Sequence, residues 1–179
     1  MEQIYVIMLI ALGVLAIIDL VVGVSNDAVN FLNSAIGSKA ISFKTTMIVA
    51  SVGVLVGAMF SSGMMEIARS GIFVPSMFSF DDVMIIFLAV MITDILLLDV
   101  FNSLGLPTST TVSIIFELLG AAVCLALYKI YMSDESFDTL GMYINTKKAS
   151  TIVYSILLSV ILSFSLGSLV QYISRLIFT

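Results

Sequence analysis

GVSNDAVNFLNSAIGSKAIS, residues 23–42, follows directly on the apolar run IYVIMLIALGVLAIIDLVV. It packs Asn26, Asp27, Asn30 and Asn33 into eight positions, with no proline between residues 4 and 38. A single helix over that span would be roughly 52 Å long at 1.5 Å per residue, well beyond a hydrocarbon core of ~30 Å. The run must therefore tilt, overhang or break. Residues 23–30 are the natural breaking point, because Gly, Ser, Asn and Asp favour caps and turns over helix interiors. An interrupted first helix is the expectation.

The polar residues are nonetheless ordered. At 100° per residue, Asp19, Gly23, Asn26, Asn30, Asn33 and Gly37 fall within about 40° of one line, with Asp27 at its edge. An ionisable side chain at mid-depth in a span costs at least ~2.5–3.5 kcal/mol. Such a stripe must face other helices or a polar cavity. It is either hydrogen-bonding glue between helices or a binding and permeation path.

Composition sets the class. Hydrophobic residues make up 60% of the 179 and charged ones 11%, against about 25% charged in a soluble domain; mean hydropathy is +1.21. The chain reads as an all-α, polytopic helical membrane protein, in the inner membrane if the cell is bacterial. Spans are expected at 4–24, 46–65, 83–100, 112–132 and 151–178. Barrel strands would alternate over about 10 residues, and these runs do not. There is no histidine, hence no His-based metal site or dyad, and neither an enzyme nor a nucleic-acid partner is expected. The lone Cys124 reads as a small core residue. Gly53 and Gly57 have the spacing that lets helices approach. Lys39 and Lys44 make a short basic connection that marks the cytoplasmic side, placing the N-terminus outside. Residues 133–150 read as a solvated loop.

A second polar constellation, GLPTSTTVSIIFELLG, covers residues 105–120. Pro107 stops a preceding helix and the hydroxyls of residues 108–111 can cap a new one, so a re-entrant or broken helix is expected around residues 101–120. Free N–H groups and hydroxyls at a helix start suit an anion. Glu117 follows on the same face as Thr110 and Ser113. It is either a coupling group or a structural partner of Arg69 or Lys129.

Together the two stretches resemble the inorganic phosphate transporter (PiT) family. Asn26-Asp27 and Asn30 fill a Gly-x-x-Asn-Asp-x-x-Asn motif, and Ala35, Gly37, Ser38, Lys39, Ala40, Ile41 and Ser42 fill its tail. Gly105, Pro107, Ser109, Thr110 and Thr111 fill a Gly-x-Pro-x-Ser-Thr-(Thr/Ser) motif. Val112 stands where many members have His, and Phe116-Glu117 where they have small residues.

The resemblance implies a symporter of two inverted repeats with a site between them near mid-membrane. Residues 1–179 would be the N-terminal half of a longer transporter, completed by a second inverted repeat or by a homodimer. Phosphate would be held by Asn26, Asp27, Ser109, Thr110 and Thr111. The coupling ion, Na+ or H+, would involve Asp27, Asn30 and Glu117, with Na+ placed at Asp27 and Asn30; no cofactor is implied. Carriage of another oxyanion such as sulfate, or a non-transporting membrane scaffold half, are the competing expectations.

Overall fold

The computed structural model describes residues 2–62, 66 and 71–178. It is helical, with α1 Glu2–Ser38, α2 Phe43–Met59, α3 Phe80–Leu104, α4 Thr110–Met132, the single turn α5 Leu140–Tyr143 and α6 Thr146–Phe178. Four of these (α1, α3, α4 and α6) are long and apolar enough to cross a membrane.

The expected interruption of α1 is not there: the helix runs unbroken through residues 23–30. Its polar side chains are satisfied without ending it. Ser25 Oγ donates back to the Val21 carbonyl at 2.7 Å, and Asn30 Nδ2 donates to Asn26 Oδ1 one turn earlier at 3.0 Å. In an apolar medium a break would strand backbone N–H and C=O groups with no water to receive them. Turning the polar side chains sideways avoids that cost. The helix ends only at Lys39, which takes the left-handed conformation with φ +55°.

The chain break falls instead between α3 and α4, as the second constellation led one to expect. Gly105 closes α3 at φ +66°, while the Leu106 N–H bonds back to the Phe101 carbonyl at 2.9 Å. That paired geometry ends a helix on a residue without a Cβ. Pro107 prevents resumption, and Ser109 caps α4 by accepting from the Val112 N–H. With 25 and 23 residues, α3 and α4 are full-length helices joined by a tight turn, rather than a re-entrant loop.

The hydrophobic core lies between α3, α4 and the short segments 72–78 and 140–144, while α1 packs on α3 and α4 through its polar face. Ile86, Val90, Asp94 and Leu98 form a four-residue-spaced ridge on α3, and Leu118, Ala122, Ala126 and Ile130 form the facing ridge on α4. The alanines let the two backbones come close. Cys124 is exposed, correcting its reading as a core residue: the ridge at 118, 122, 126 and 130 leaves position 124 facing outward. Gly53 and Gly57 likewise face open space among the described residues.

α1 and α3 run parallel in one register. Tyr5 meets Asp81, Asp19 meets Asp94 and Asn26 meets Asn102, each pair 75 or 76 residues apart. At the Tyr5 end, the Ser79–Asp82 capping box starts α3. Lys129 Nζ ties the end of α4 to it through Asp82 Oδ2 at 2.6 Å.

The same end corrects the reading of residues 133–150 as solvent-facing throughout. Tyr143, Ile144 and Ala149 are buried, and the Val74 N–H bonds to the Tyr143 carbonyl and the Asn145 N–H to that of Ile72. Phe73, Phe78 and Tyr143 pack edge to face. A short apolar segment can bury beside another when each satisfies the other's backbone. Lys147 and Lys148 therefore sit at the end opposite Lys39 and Lys44, and basic residues flank both ends. That removes the asymmetry on which an outside N-terminus was argued.

Candidate functional site

Because α1 is unbroken, its polar stripe stays on one face, and that face meets α3 and the start of α4. Asn26 is 2% exposed. Its Nδ2 donates to Asn102 Oδ1 at 2.9 Å, and its Oδ1 accepts from Asn30. Asn30 Nδ2 also reaches the Thr108 carbonyl at 2.7 Å. One amide thus ties the first motif to the backbone turn of the second.

Beside this network the two motifs make direct contact. Thr110 Oγ1 donates to Asp27 Oδ1 at 3.2 Å, with Oδ2 at 3.4 Å. Asp27, Asn30, Phe31 and residues 107–111 line an open cleft of about 460 Å³. Ser109, Thr110 and Thr111 border it with the first turn of α4, whose free N–H groups and positive dipole end favour an anion. Ser109 already spends an oxygen lone pair as the helix cap, but its O–H can still donate.

The structure therefore brings together Asp27, Asn30, Ser109, Thr110 and Thr111. Asn26 stands behind them as a brace, with both ends of its amide engaged. Glu117 is not brought to the cleft. It lies two turns further along α4, where Ser113 Oγ donates to its Oε1 at 2.7 Å. Of the two suggested basic partners, Lys129 is held by Asp82, and Arg69 lies outside the described residues.

Glu117 has acidic company instead. Asp94 on α3 lies within hydrogen-bonding reach of both Asp19 on α1 and Glu117 on α4. Asp94 is 2% exposed. One oxygen of each acid, Asp19 Oδ1, Asp94 Oδ1 and Glu117 Oε2, is buried without a hydrogen-bond partner. Between this acidic layer and the amide network lies an apolar layer. Gly23 leaves room there for the Leu98 side chain and the Thr110 methyl, whose nearest atoms would be 4.0 and 3.9 Å from a Cβ at that position.

Asn102 and the Asp19–Asp94–Glu117 grouping were not legible as site features in sequence. Asp19 and Glu117 stood out singly, on the polar stripe and beside the second motif; the signal that joins them is Asp94 in an otherwise apolar ridge, since an ionisable residue inside a span is a functional candidate.

Comparison with known proteins agrees with the two motifs. Residues 23–179 match the model of a family described as the phosphate transporter family. A protein of Mycobacterium bovis named "Putative phosphate permease" is 33% identical over 151 residues, which is 83% of this chain and 26% of that protein. Permeases of the same name from Thermococcus kodakarensis and Pyrococcus abyssi are 33% and 35% identical over 59% and 57% of this chain, and 27% and 26% of theirs. The aligned region thus spans about a quarter of the length of these relatives. No solved structure matches.

Proposed function

Since the chain belongs to the phosphate transporter family, we propose that it forms the N-terminal repeat of a cation-coupled inorganic phosphate symporter. The observation that carries this reading is the contact between Thr110 and Asp27, which joins the two motifs at one cleft. Phosphate sits at the start of α4, bound by the hydroxyls of Ser109, Thr110 and Thr111 and by free backbone N–H groups. A second inverted repeat completes the pocket from the other side.

Asp27 dictates the need for a cation. A carboxylate and a phosphate charge ~4 Å apart repel by about 4 kcal/mol at an effective dielectric of 20. A cation between them turns that repulsion into attraction. Asn30 has committed its amide N–H to Asn26 and Thr108, which leaves its carbonyl oxygen to join the Asp27 carboxylate around Na+. These are the oxygen ligands a hard cation takes. A proton on Asp27 serves the same end. When phosphate arrives, the Thr110 hydroxyl turns from Asp27 to a phosphate oxygen, and the carboxylate keeps the cation.

The test is uptake of labelled phosphate into vesicles holding the full-length protein, with sulfate as competitor. Saturable uptake that needs a sodium or proton gradient and ignores sulfate supports the reading. Equal preference for sulfate would move it to another oxyanion. No uptake of either ion by correctly inserted protein would leave a membrane scaffold.

A further inference from the structure

We propose that Asp19, Asp94 and Glu117 form a proton-holding site in the membrane interior, distinct from the phosphate cleft, and that its protons are the ones that move with phosphate. The proposal rests on the symport reading for its second half only.

Three observations carry it. Asp94 is almost fully buried, and one of its oxygens has no partner. It stands between two further carboxyls from two other helices, each with a buried oxygen that is also unpartnered. Finally, the facing elements offer no positive charge among the described residues. α1 presents Asp19, α3 presents Asp94, and α4 presents Glu117 and the Ser113 hydroxyl, which is already donated to Glu117. The next acids along, Asp27 and Asp99, belong to the cleft and to the exposed surface respectively. Lys129 is committed to Asp82.

Three carboxylates cannot remain charged side by side in an apolar core, because like charges at one site exclude each other's ionisation. What they lack is a donor. Among the described residues no three acidic groups are spaced to enclose a metal ion. Two protons meet the need with no further atoms. One on Asp19 and one on Glu117 give two O–H groups, and both can donate to the central Asp94 carboxylate. The trio then carries one negative charge instead of three. Asp19 and Glu117 are only half-buried, so they are the points where protons enter and leave. Each arrival converts a carboxylate to a carboxylic acid, and each departure reverses it.

The apolar layer of Gly23, Leu98 and the Thr110 methyl keeps these protons off the phosphate. Coupling therefore passes through the three helices that build both layers. Loss of a proton makes the acids repel and spreads α1 from α3 and α4, which also carry the cleft.

The experiment has two arms on the purified full-length protein. The first needs no phosphate. Infrared spectra of the resting wild type should contain the C=O stretch of buried protonated carboxyl groups, shifted in D2O. Absence of that band overturns the site whether or not the protein transports phosphate. In the second, vesicles containing a pH dye report proton entry during phosphate uptake, beside phosphate–phosphate exchange with no gradient. Asp94→Asn should cut protons moved per phosphate by about ten-fold or more, while exchange falls by no more than about three-fold. Asp19→Asn should do the same more weakly. Equal losses in both readouts for both variants, or an unchanged proton count in Asp94→Asn, would overturn the coupling role. So would wild-type uptake that carries sodium and no protons.

Discussion

Two polar layers lie about 10 Å apart along α1, seven residues at 1.5 Å each, and they are opposites. The amide layer of Asn26, Asn30, Asn102 and the Thr108 carbonyl closes on itself, with three hydrogen bonds of 2.7–3.0 Å. The acidic layer of Asp19, Asp94 and Glu117 leaves three buried oxygens unanswered. Both sit where α1 meets α3 and either α4 or the turn leading into it, so the helix scaffold does not explain the difference. Side-chain chemistry does: an amide both donates and accepts, whereas a carboxylate only accepts. A layer of amides can be purely structural, and a layer of acids must take a proton or a cation from outside these three helices.

Five substitutions, the last two made together, break or sharpen that contrast. The largest effect is expected at the cleft beside the amide layer. Asp27→Asn in the full-length protein should reduce phosphate uptake to background while leaving membrane insertion intact. Uptake in vesicles checks it, and normal uptake would remove Asp27 from the mechanism. Next is the apolar layer that keeps the two apart. Leu98 is fully buried, and Leu98→Ala should cost about 2–5 kcal/mol of stability through the cavity it leaves. Thermal unfolding in detergent would show this as a lowered midpoint, and an unshifted midpoint would mean that the helices close up without it.

Thr110→Val retains the methyl against Gly23 and removes only the hydroxyl. Loss of one donor to a charged ligand costs roughly 1.5–3 kcal/mol, so the apparent KM for phosphate should rise about ten-fold or more. An unchanged KM would reduce the start of α4 to an ordinary capped helix. The smallest effect belongs to the amide layer itself. Asn26→Leu should destabilise by about 1 kcal/mol, since hydrogen bonds between membrane helices average nearer 0.6. Asn26→Leu combined with Asn102→Leu should recover most of the loss, because no amide is then left unpaired against its former partner. A double variant much worse than the single one would show that the layer does more than hold helices together.

How much of this was legible in the sequence follows from locality. Gly105, Pro107 and Ser109 announce the end of α3 and the start of α4 through backbone rules that operate over a few residues, and the chain breaks there as those rules require. The same rules misread residues 23–30. Ser, Asn and Asp compete with the backbone where water can solvate a broken turn. Inside a bilayer their side chains find partners across a helix interface instead, as Asn26 finds Asn102. Which helix supplies that partner is a matter of packing, with no trace in the local sequence. Glu117 stood out as a departure from its motif and its helix face was assigned correctly, but a face gives no depth. It stands beside the acids of α1 and α3, two turns from the cleft.

The constant offset between α1 and α3 has a mechanical consequence. Tyr5–Asp81, Asp19–Asp94 and Asn26–Asn102 are like three teeth of one rack, distributed over more than 30 Å of helix at 1.5 Å per residue. Sliding by one helical turn, ~5.4 Å, would disengage all three at once. Sliding by less would leave every tooth misaligned. Against sliding, though not against separation, the two helices are thus geared as a single rod, and an axial displacement at one membrane face is passed to the other.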